Sequence, residues 1–483
     1  MKTSLLKLLS GPAIGLLVFF VMRFYAISTG ISATAMITVW MAAWWITEAV
    51  DIGVTSFIPF ILFPLSGVMD AGSVAMQYME QTIFLFIGGF FLAFALEKWN
   101  LHKRIAFRIL LLTGTSPSRV LLGVMLTAFI ISMWISNTAT VIMLVSAITA
   151  IITLDHNYNE KEHKKIACGL MLALAYSATI GGISTLVGTP PNMVFAGFME
   201  KMYEGQMAIT FTRWFTFAFP FSLVFITAVY FILKKLFIPE HHEKPLPLDY
   251  IRNELKKAGP VSNEEKWLMT IFFITVILWF TRTGLNFGSF SIKGWTSLLP
   301  YGSFIRDSTV AITMSLLLFL IPSKNKKGEQ LLIWSDVTRL PFRIILLFGS
   351  GFALAEGFEK SGLATLLAHQ LSVFNQFPEW TLLLAIMIMV TVLSEFASNV
   401  ASVQLVLPVL APLAITLNAD PLTLMVPATM AASLGYMMPV ATAANTIVYG
   451  TGYVPLKQML RAGLILNLTG IAILFLLVHL LKF

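Results

Sequence analysis

Two short polar strings interrupt an otherwise apolar chain: Ser136-Asn137-Thr138 and Ser398-Asn399-Val400. Each sits near the middle of a long hydrophobic stretch, 118–152 and 380–414. A second pair lies downstream, Gly188-Thr189-Pro190-Pro191-Asn192 and Ala441-Thr442-Ala443-Ala444-Asn445. Hydroxyls and amides can donate or accept hydrogen bonds. A hairpin tip or helix break also leaves backbone N–H and C=O groups without intrahelical partners. Helix N-termini at a break favour an anion, and free carbonyls and C-terminal ends favour a cation. Two breaks in each half, meeting at the centre, can hold one anion between cation sites. An isolated Ser-Asn-Thr in a membrane helix more often bonds to backbone or to a neighbour. Two copies, each with a downstream break, shift the reading to a binding site.

Other chemistry is missing. The sequence has no H-E-x-x-H, Walker A, G-x-G-x-x-G or nucleophile elbow, so it reads as neither an enzyme nor an ATP-driven pump. Cys168 is the single cysteine, which excludes a disulfide framework within the chain and a cysteine metal site. No Arg or Lys falls within the polar strings. A bound anion must then be neutralised by hydroxyls, amides, helix ends and co-bound cations. A dianion faces a large desolvation penalty in such a place, and a nearby Na⁺ reduces it. Of the acidic residues in or near apolar segments, Glu48, Asp51, Glu97 and Glu359 lie near span ends, where solvation is cheap; Glu356 lies within such a segment. Glu395, four residues before Asn399, can bond exposed backbone or carry a proton. Trp40, Trp44, Trp45, Trp279 and Phe290 read as packing and interface aromatics.

The elements that position these strings follow from composition. Of 483 residues, 57% are hydrophobic and 12% charged, against about 25% charged in soluble domains. That excludes a soluble enzyme, a nucleic-acid-binding module and a disordered chain, and predicts an all-α polytopic membrane protein. Apolar segments cover about 11–28, 33–50, 52–68, 82–98, 166–198, 208–234, 267–281, 308–322, 342–358, 422–450 and 458–482. A through-span over 118–152 or 380–414 would bury its polar string in lipid, so both are read as re-entrant hairpins, beside about 11 spans. Residues 1–27, with Lys2 and Lys7, are read as a retained first helix rather than a cleaved leader. With the N-terminus in the cytoplasm, 24 of the 32 Lys and Arg face that side and 8 the other, which places the C-terminus outside. Residues 236–266 read as a cytoplasmic linker, its His241 and His242 solvated, between a first half (1–235) and a second (267–483).

The halves look duplicated. Leu85-Phe86-Ile87-Gly88-Gly89-Phe90 matches Leu347-Phe348-Gly349-Ser350-Gly351-Phe352, and Glu97-Lys98 matches Glu359-Lys360. Asn137 and Asn399 keep the same offset of 262 as Glu97 and Glu359. Gly182 and Gly435 precede the downstream strings at an offset of 253, nine residues shorter. The first hairpin then enters from the cytoplasm and the second from outside. Such inverted-topology repeats are the mark of a secondary transporter, whose site lies near the membrane midplane.

At these residues the sequence resembles the divalent anion/sodium symporter family, which includes the sodium-coupled di- and tricarboxylate transporters. The carrying motifs are Ser136-Asn137-Thr138, Gly188-Thr189-Pro190-Pro191-Asn192, Glu395-Phe396-Ala397-Ser398-Asn399 and Met438-Pro439-Val440-Ala441-Thr442. The resemblance implies a homodimer in which a static scaffold supports a mobile, elevator-like transport domain. It implies one Na⁺ site at Ser132, Ser136, Asn137 and the backbone of Gly188. A second would use Ser394, Ala397, Asn399 and Ala441, the alanines through their carbonyls. Substrate carboxylates would meet Ser136, Asn137, Thr138, Thr189, Ser398, Asn399 and Thr442. Two departures bear on selectivity: Val400 stands where many relatives have Thr, and Ala443-Ala444 replaces the Pro-Pro of the first repeat. The implied activity is Na⁺-coupled uptake of a C4-dicarboxylate such as succinate, malate or fumarate across a bacterial inner membrane. The alternatives are citrate or another tricarboxylate, sulfate, or carboxylate exchange.

Overall fold

The computed structural model describes residues 5–155, 157–203, 207–239, 244–286 and 291–481; His241, His242 and Phe290, singled out above, lie outside them. Among the described residues the regular structure is helical apart from one antiparallel strand pair, Gly284–Asn286 with Ser291–Lys293. Eight helices among the described residues are at least 18 residues long and apolar enough to cross a bilayer. Five apolar stretches are shorter, among them Pro117–Ser132 and Asn137–Thr153.

The centre of the molecule is the helix Glu160–Ser184, every residue of whose apolar window is buried. Small residues let neighbours approach it closely. A Cβ at Gly181 would sit 2.2 Å from the backbone oxygen of Phe129, and one at Gly169 would sit 2.6 Å from Phe237 Cβ. This helix therefore packs backbone-close against Pro117–Ser132 and against Phe211–Phe237. Tyr176, fully buried on it, donates its hydroxyl to the carbonyl of Tyr436 at 3.0 Å, which ties the first half to the second.

One expected span is broken. Residues 52–68 form two short helices, Ile52–Thr55 and Ile58–Ser66. Pro59 forces the break, because its ring would clash with the carbonyl four residues earlier in a continuous helix. The segment 236–266 is more than a tether. It contains the helix Asp249–Lys257, and Leu246 N donates to Thr115 O at 2.8 Å. Arg104, nearly inaccessible, donates to Glu265 at 2.6 Å and to the carbonyls of Gly259 (2.7 Å) and Ala258 (2.9 Å). Removing one partner of such a buried pair strands the other charge, at a cost of about 3–5 kcal/mol. Arg104→Ala is therefore expected to lower the thermal unfolding midpoint of the purified protein by several degrees, and Arg104→Lys to recover only part of it, because an ammonium cannot make the bidentate contact.

Candidate functional site

The polar strings fall at breaks between helices. Pro117–Ser132 and Asn137–Thr153 are joined by residues 133–136, and Glu379–Phe396 and Asn399–Thr416 by residues 397–398. Ser136 and Ser398 cap the outgoing helices, accepting from Ala139 N (3.3 Å) and Ala401 N (3.2 Å). Asn137 and Asn399 occupy the first helical position, and each Oδ1 accepts from a serine on the incoming arm: Ser132 Oγ at 2.7 Å and Ser394 Oγ at 2.8 Å. The two tips thus share these bonds, and Ser394 Oγ adds one to the carbonyl of Ala432.

The downstream strings form two further breaks. Glu160–Ser184 stops, residues 185–189 are non-helical, and Pro190–Met202 begins. Pro421–Ala431 stops, residues 432–442 intervene, and Ala443–Gly450 begins. Thr189 and Thr442 share one extended conformation, φ −145°, ψ 141° and φ −140°, ψ 150°. Asn192 and Asn445, fully buried, brace the breaks from behind. Asn192 Nδ2 donates to the carbonyls of Gly182, Ile183 and Thr185, and Asn445 Nδ2 to those of Gly435 and Met438. The sequence reading gave these asparagines no task of their own, although their shared offset of 253 was the available signal.

The breaks are held open by different means. Pro190 and Pro191 enforce the first: proline is preorganised for the first helical turn and pushes the preceding residue into extended backbone. The second has alanines there and substitutes two other contacts. Thr442 Oγ1 caps Asn445 N at 3.1 Å, a bond Thr189 does not make. Glu395, 4% exposed, accepts from the backbone N–H groups of Met437 (2.9 Å) and Met438 (2.8 Å) and from Asn467 Nδ2 (2.6 Å). Of its two readings, backbone pinning is the one these bonds describe. The equivalent position of the first repeat is Met133, where prolines already do the work.

All four helix starts border one cavity of about 400 Å³. Ser136, Asn137, Thr138, Gly188, Thr189, Ser398, Asn399, Ala441 and Thr442 line it, together with Val400, Ala443 and Ala444. Ser132, Ser394 and Ala397 do not; they are buried behind the asparagines. Each helix N-terminus carries roughly half a positive charge. Four together approach about two charges, the scale needed to balance a dianion. Donors for a metal are neutral oxygens, and no group of three or more His, Cys, Asp or Glu suited to a metal exists among the described residues. Hard oxygen donors without carboxylate suit a weakly held alkali cation rather than a transition metal.

The cavity also contains what the strings lack. Arg339, just before the helix Phe342–Ser361, and Arg343, in its first turn, line its wall. Arg339 lies 3.4 Å from Glu97, and Arg343 lies 4.0 Å from Asp51. The expectation that only hydroxyls, amides, helix ends and cations are available to an anion is corrected: two partly neutralised guanidinium groups line the same cavity. Their side chains are 53% and 67% exposed, so the cavity reaches the surface at this side.

Residues 2–481 match the model of the sodium:sulfate symporter transmembrane region. The chain belongs to the sodium:sulfate symporter family. It is therefore a membrane transporter and not an enzyme. This symporter is 40% identical over 451 residues to the sodium-dependent dicarboxylate transporter SdcS of Staphylococcus saprophyticus, covering 92% of this chain and 84% of that one. It is 38% identical, with the same coverage, to SdcS of Staphylococcus aureus strain USA300. Among solved structures, it is similar to MtrF of Neisseria gonorrhoeae (TM-score 0.58, 10% identity, 86% of this chain and 83% of that one). The YdaH transporter of Alcanivorax borkumensis is also similar (TM-score 0.54, 12% identity, 84% and 87%). At those identities the two structures speak for the symporter's fold alone.

Proposed function

We infer that this symporter is a sodium-dependent dicarboxylate transporter that takes up C4-dicarboxylates such as succinate, malate or fumarate. The observation that carries the reading is the convergence of four helix N-termini on one cavity whose cationic lining residues, Arg339 and Arg343, already lie beside carboxylates. The name borne by the similar staphylococcal proteins points the same way. In this reading the carboxylates meet Ser136, Asn137, Thr138, Thr189, Ser398, Asn399 and Thr442. Na⁺ is a co-transported substrate, held by Ser132, Ser136, Asn137 and Gly188 on one side and by Ser394, Ala397, Asn399 and Ala441 on the other. Coupling has a physical cause. The same cavity wall presents carbonyl, amide and hydroxyl oxygens that repel an anion, and a cation seated on them turns that repulsion into attraction.

The tips fit re-entrant hairpins. Pro117–Ser132 has 16 residues, about 24 Å of helix, short of the roughly 30 Å of hydrocarbon. An elevator movement of hairpins and broken helices against a dimeric scaffold, with the N-terminus in the cytoplasm and the C-terminus outside, completes the proposal. The same proposal puts Arg339 and Arg343 on the basic side of the charge count, so that the exposed end of the cavity faces the cytoplasm.

The test is uptake of labelled succinate into proteoliposomes. An inward Na⁺ gradient is expected to drive accumulation without internal carboxylate, and excess sulfate is expected to compete poorly. Uptake that needs internal carboxylate and ignores Na⁺ would establish exchange instead. Strong competition by sulfate or citrate would reassign the substrate.

A further inference from the structure

The two half-helices that open at the downstream strings sit differently on the rest of the chain. Pro190–Met202 and Ala443–Gly450 each pack on the outgoing arm of the other repeat's hairpin. The first is also seated on Gln81–Lys98 and Phe342–Ser361: a Cβ on Gly197 would stand 2.4 Å from Phe352 Cζ and 2.6 Å from Thr82 Oγ1. At the offset of 253 Gly197 becomes Gly450, and a Cβ there would meet nothing within 4 Å. At the offset of 262 Phe352 and Thr82 correspond to Phe90 and Ile344. Both border the open transport cavity, so a matching seat exists and Gly450 is not on it.

The occupied seat is clamped by two adjacent residues of opposite charge. Lys201 Nζ lies 2.8 Å from Glu356 and donates to the carbonyl of Phe352 (3.3 Å) and to Gln77. Glu200 meets Arg306 at 3.0 Å. Of the neighbouring charges, Lys360 shares Glu356 (3.2 Å), Glu80 caps Thr82 N (2.7 Å), and Arg282 is held by the buried Asp307. The same offsets turn Glu200 and Lys201 into Tyr453 and Val454, and Glu356 into Phe94. Neither clamping charge is repeated.

We propose that Glu200 and Lys201 form a one-sided latch. They hold the described conformation, and in the opposite one Gly450 takes the seat on Phe90 and Ile344 without their ionic support. The proposal rests on the movement of hairpins and broken helices inferred above, and not on the identity of the cargo. Inverted repeats let one body dock in two related ways, and the latch makes those ways unequal. The Lys201 and Glu356 side chains are only 15% and 21% exposed, so their attraction is screened less than that of a surface pair. Leaving the seat breaks this pair and the bonds to Phe352 and Gln77. A conformation that forgoes such contacts is populated less in proportion to their strength. Thr189 stands at the start of this helix and Lys201 in its last turn, so one rod carries both binding site and latch.

The experiment is disulfide trapping of the full chain in proteoliposomes, with Gly450→Cys paired to Ile344→Cys. Cys168 is buried and does not compete. Oxidation is expected to bridge the two thiols, which needs their Cα atoms within about 7 Å, and to arrest transport until a reductant is added. The initial bridging rate follows the population of the opposite conformation. Lys201→Met and Glu200→Gln are each expected to raise that rate by roughly tenfold, and Lys201→Arg to leave it within about twofold. Neither removal strands a buried partner, since Glu356 keeps Lys360 and the Arg306 side chain is 38% exposed. Acceleration by both variants upholds the latch even where the cargo proves not to be succinate. Preparations that transport yet never bridge overturn the latch together with the inferred movement. Bridging at one rate with and without the two charges overturns the latch and leaves the movement standing.

Discussion

Asn137→Ala and Asn399→Ala are each expected to reduce Na⁺-driven succinate uptake by at least about 100-fold while leaving the protein inserted and monodisperse. A hydrogen bond to a charged group is worth about 1.5–3 kcal/mol. Each asparagine is assigned to both the anion and a cation, so its loss is counted twice, and every 1.4 kcal/mol is about tenfold. The amide also holds its tip together, because its Oδ1 receives the serine hydroxyl of the incoming arm. Truncation leaves Ser132 or Ser394 facing a void. Uptake in proteoliposomes, normalised to reconstituted protein, decides the matter. Wild-type rates in both variants would remove the site assignment altogether.

The second large effect is asymmetric between the repeats. A Cβ built on Gly182 would stand 2.4 Å from Asn137 Oδ1. A Cβ on Gly435, its counterpart, meets Ala441 Cβ at 3.1 Å and Asn399 Oδ1 only at 3.8 Å. Gly182→Ala must therefore push the Asn137 amide off Ser132, and Gly435→Ala need only nudge a methyl. Local propensity runs the other way, since alanine within a helix is favoured over glycine by roughly 0.5–1 kcal/mol. Gly182→Ala is accordingly expected to stay folded, the propensity gain offsetting part of the clash, yet lose uptake by about 10- to 100-fold, and Gly435→Ala to stay within about threefold, less than 1 kcal/mol. Equal losses in the two variants would show that the near-identical tips do not depend on this spacing. The measurement pairs initial uptake rate with a thermal melt of the same preparation.

The tips were readable before any coordinates because their residue types repeat at a fixed offset, and one offset of 262 carries Ser132 onto Ser394 and Asn137 onto Asn399. The helix breaks were readable for the same reason. Arg339 and Arg343 were not, since at the same offset the first repeat has the neutral Gln77 and Gln81, so the repeat carries no basic signal at these places. Only packing of Phe342–Ser361 against the rest brings them there. The task of Glu395 was half visible: its nearness to Asn399 suggested backbone bonding, but the acceptor role toward Met437 and Met438 depends on a loop some forty residues away. The single apolar run 52–68 misled because hydropathy is blind to Pro59, whose steric effect splits the run into two helices. The linker's helix and its clasp by Arg104 were hidden because mixed charge looks the same whether solvated or folded.

The pairing of Arg339 with Glu97 and of Arg343 with Asp51 has a bearing on turnover. A carrier must let its passenger go as readily as it picks it up. A bare guanidinium deep in the chamber would make a trap, whereas one already half-spoken-for and wetted by solvent draws anions from a distance without gripping them. Ionic strength on the side to which the cavity opens then becomes a control on the pace of discharge, more than on how firmly the loaded state is held.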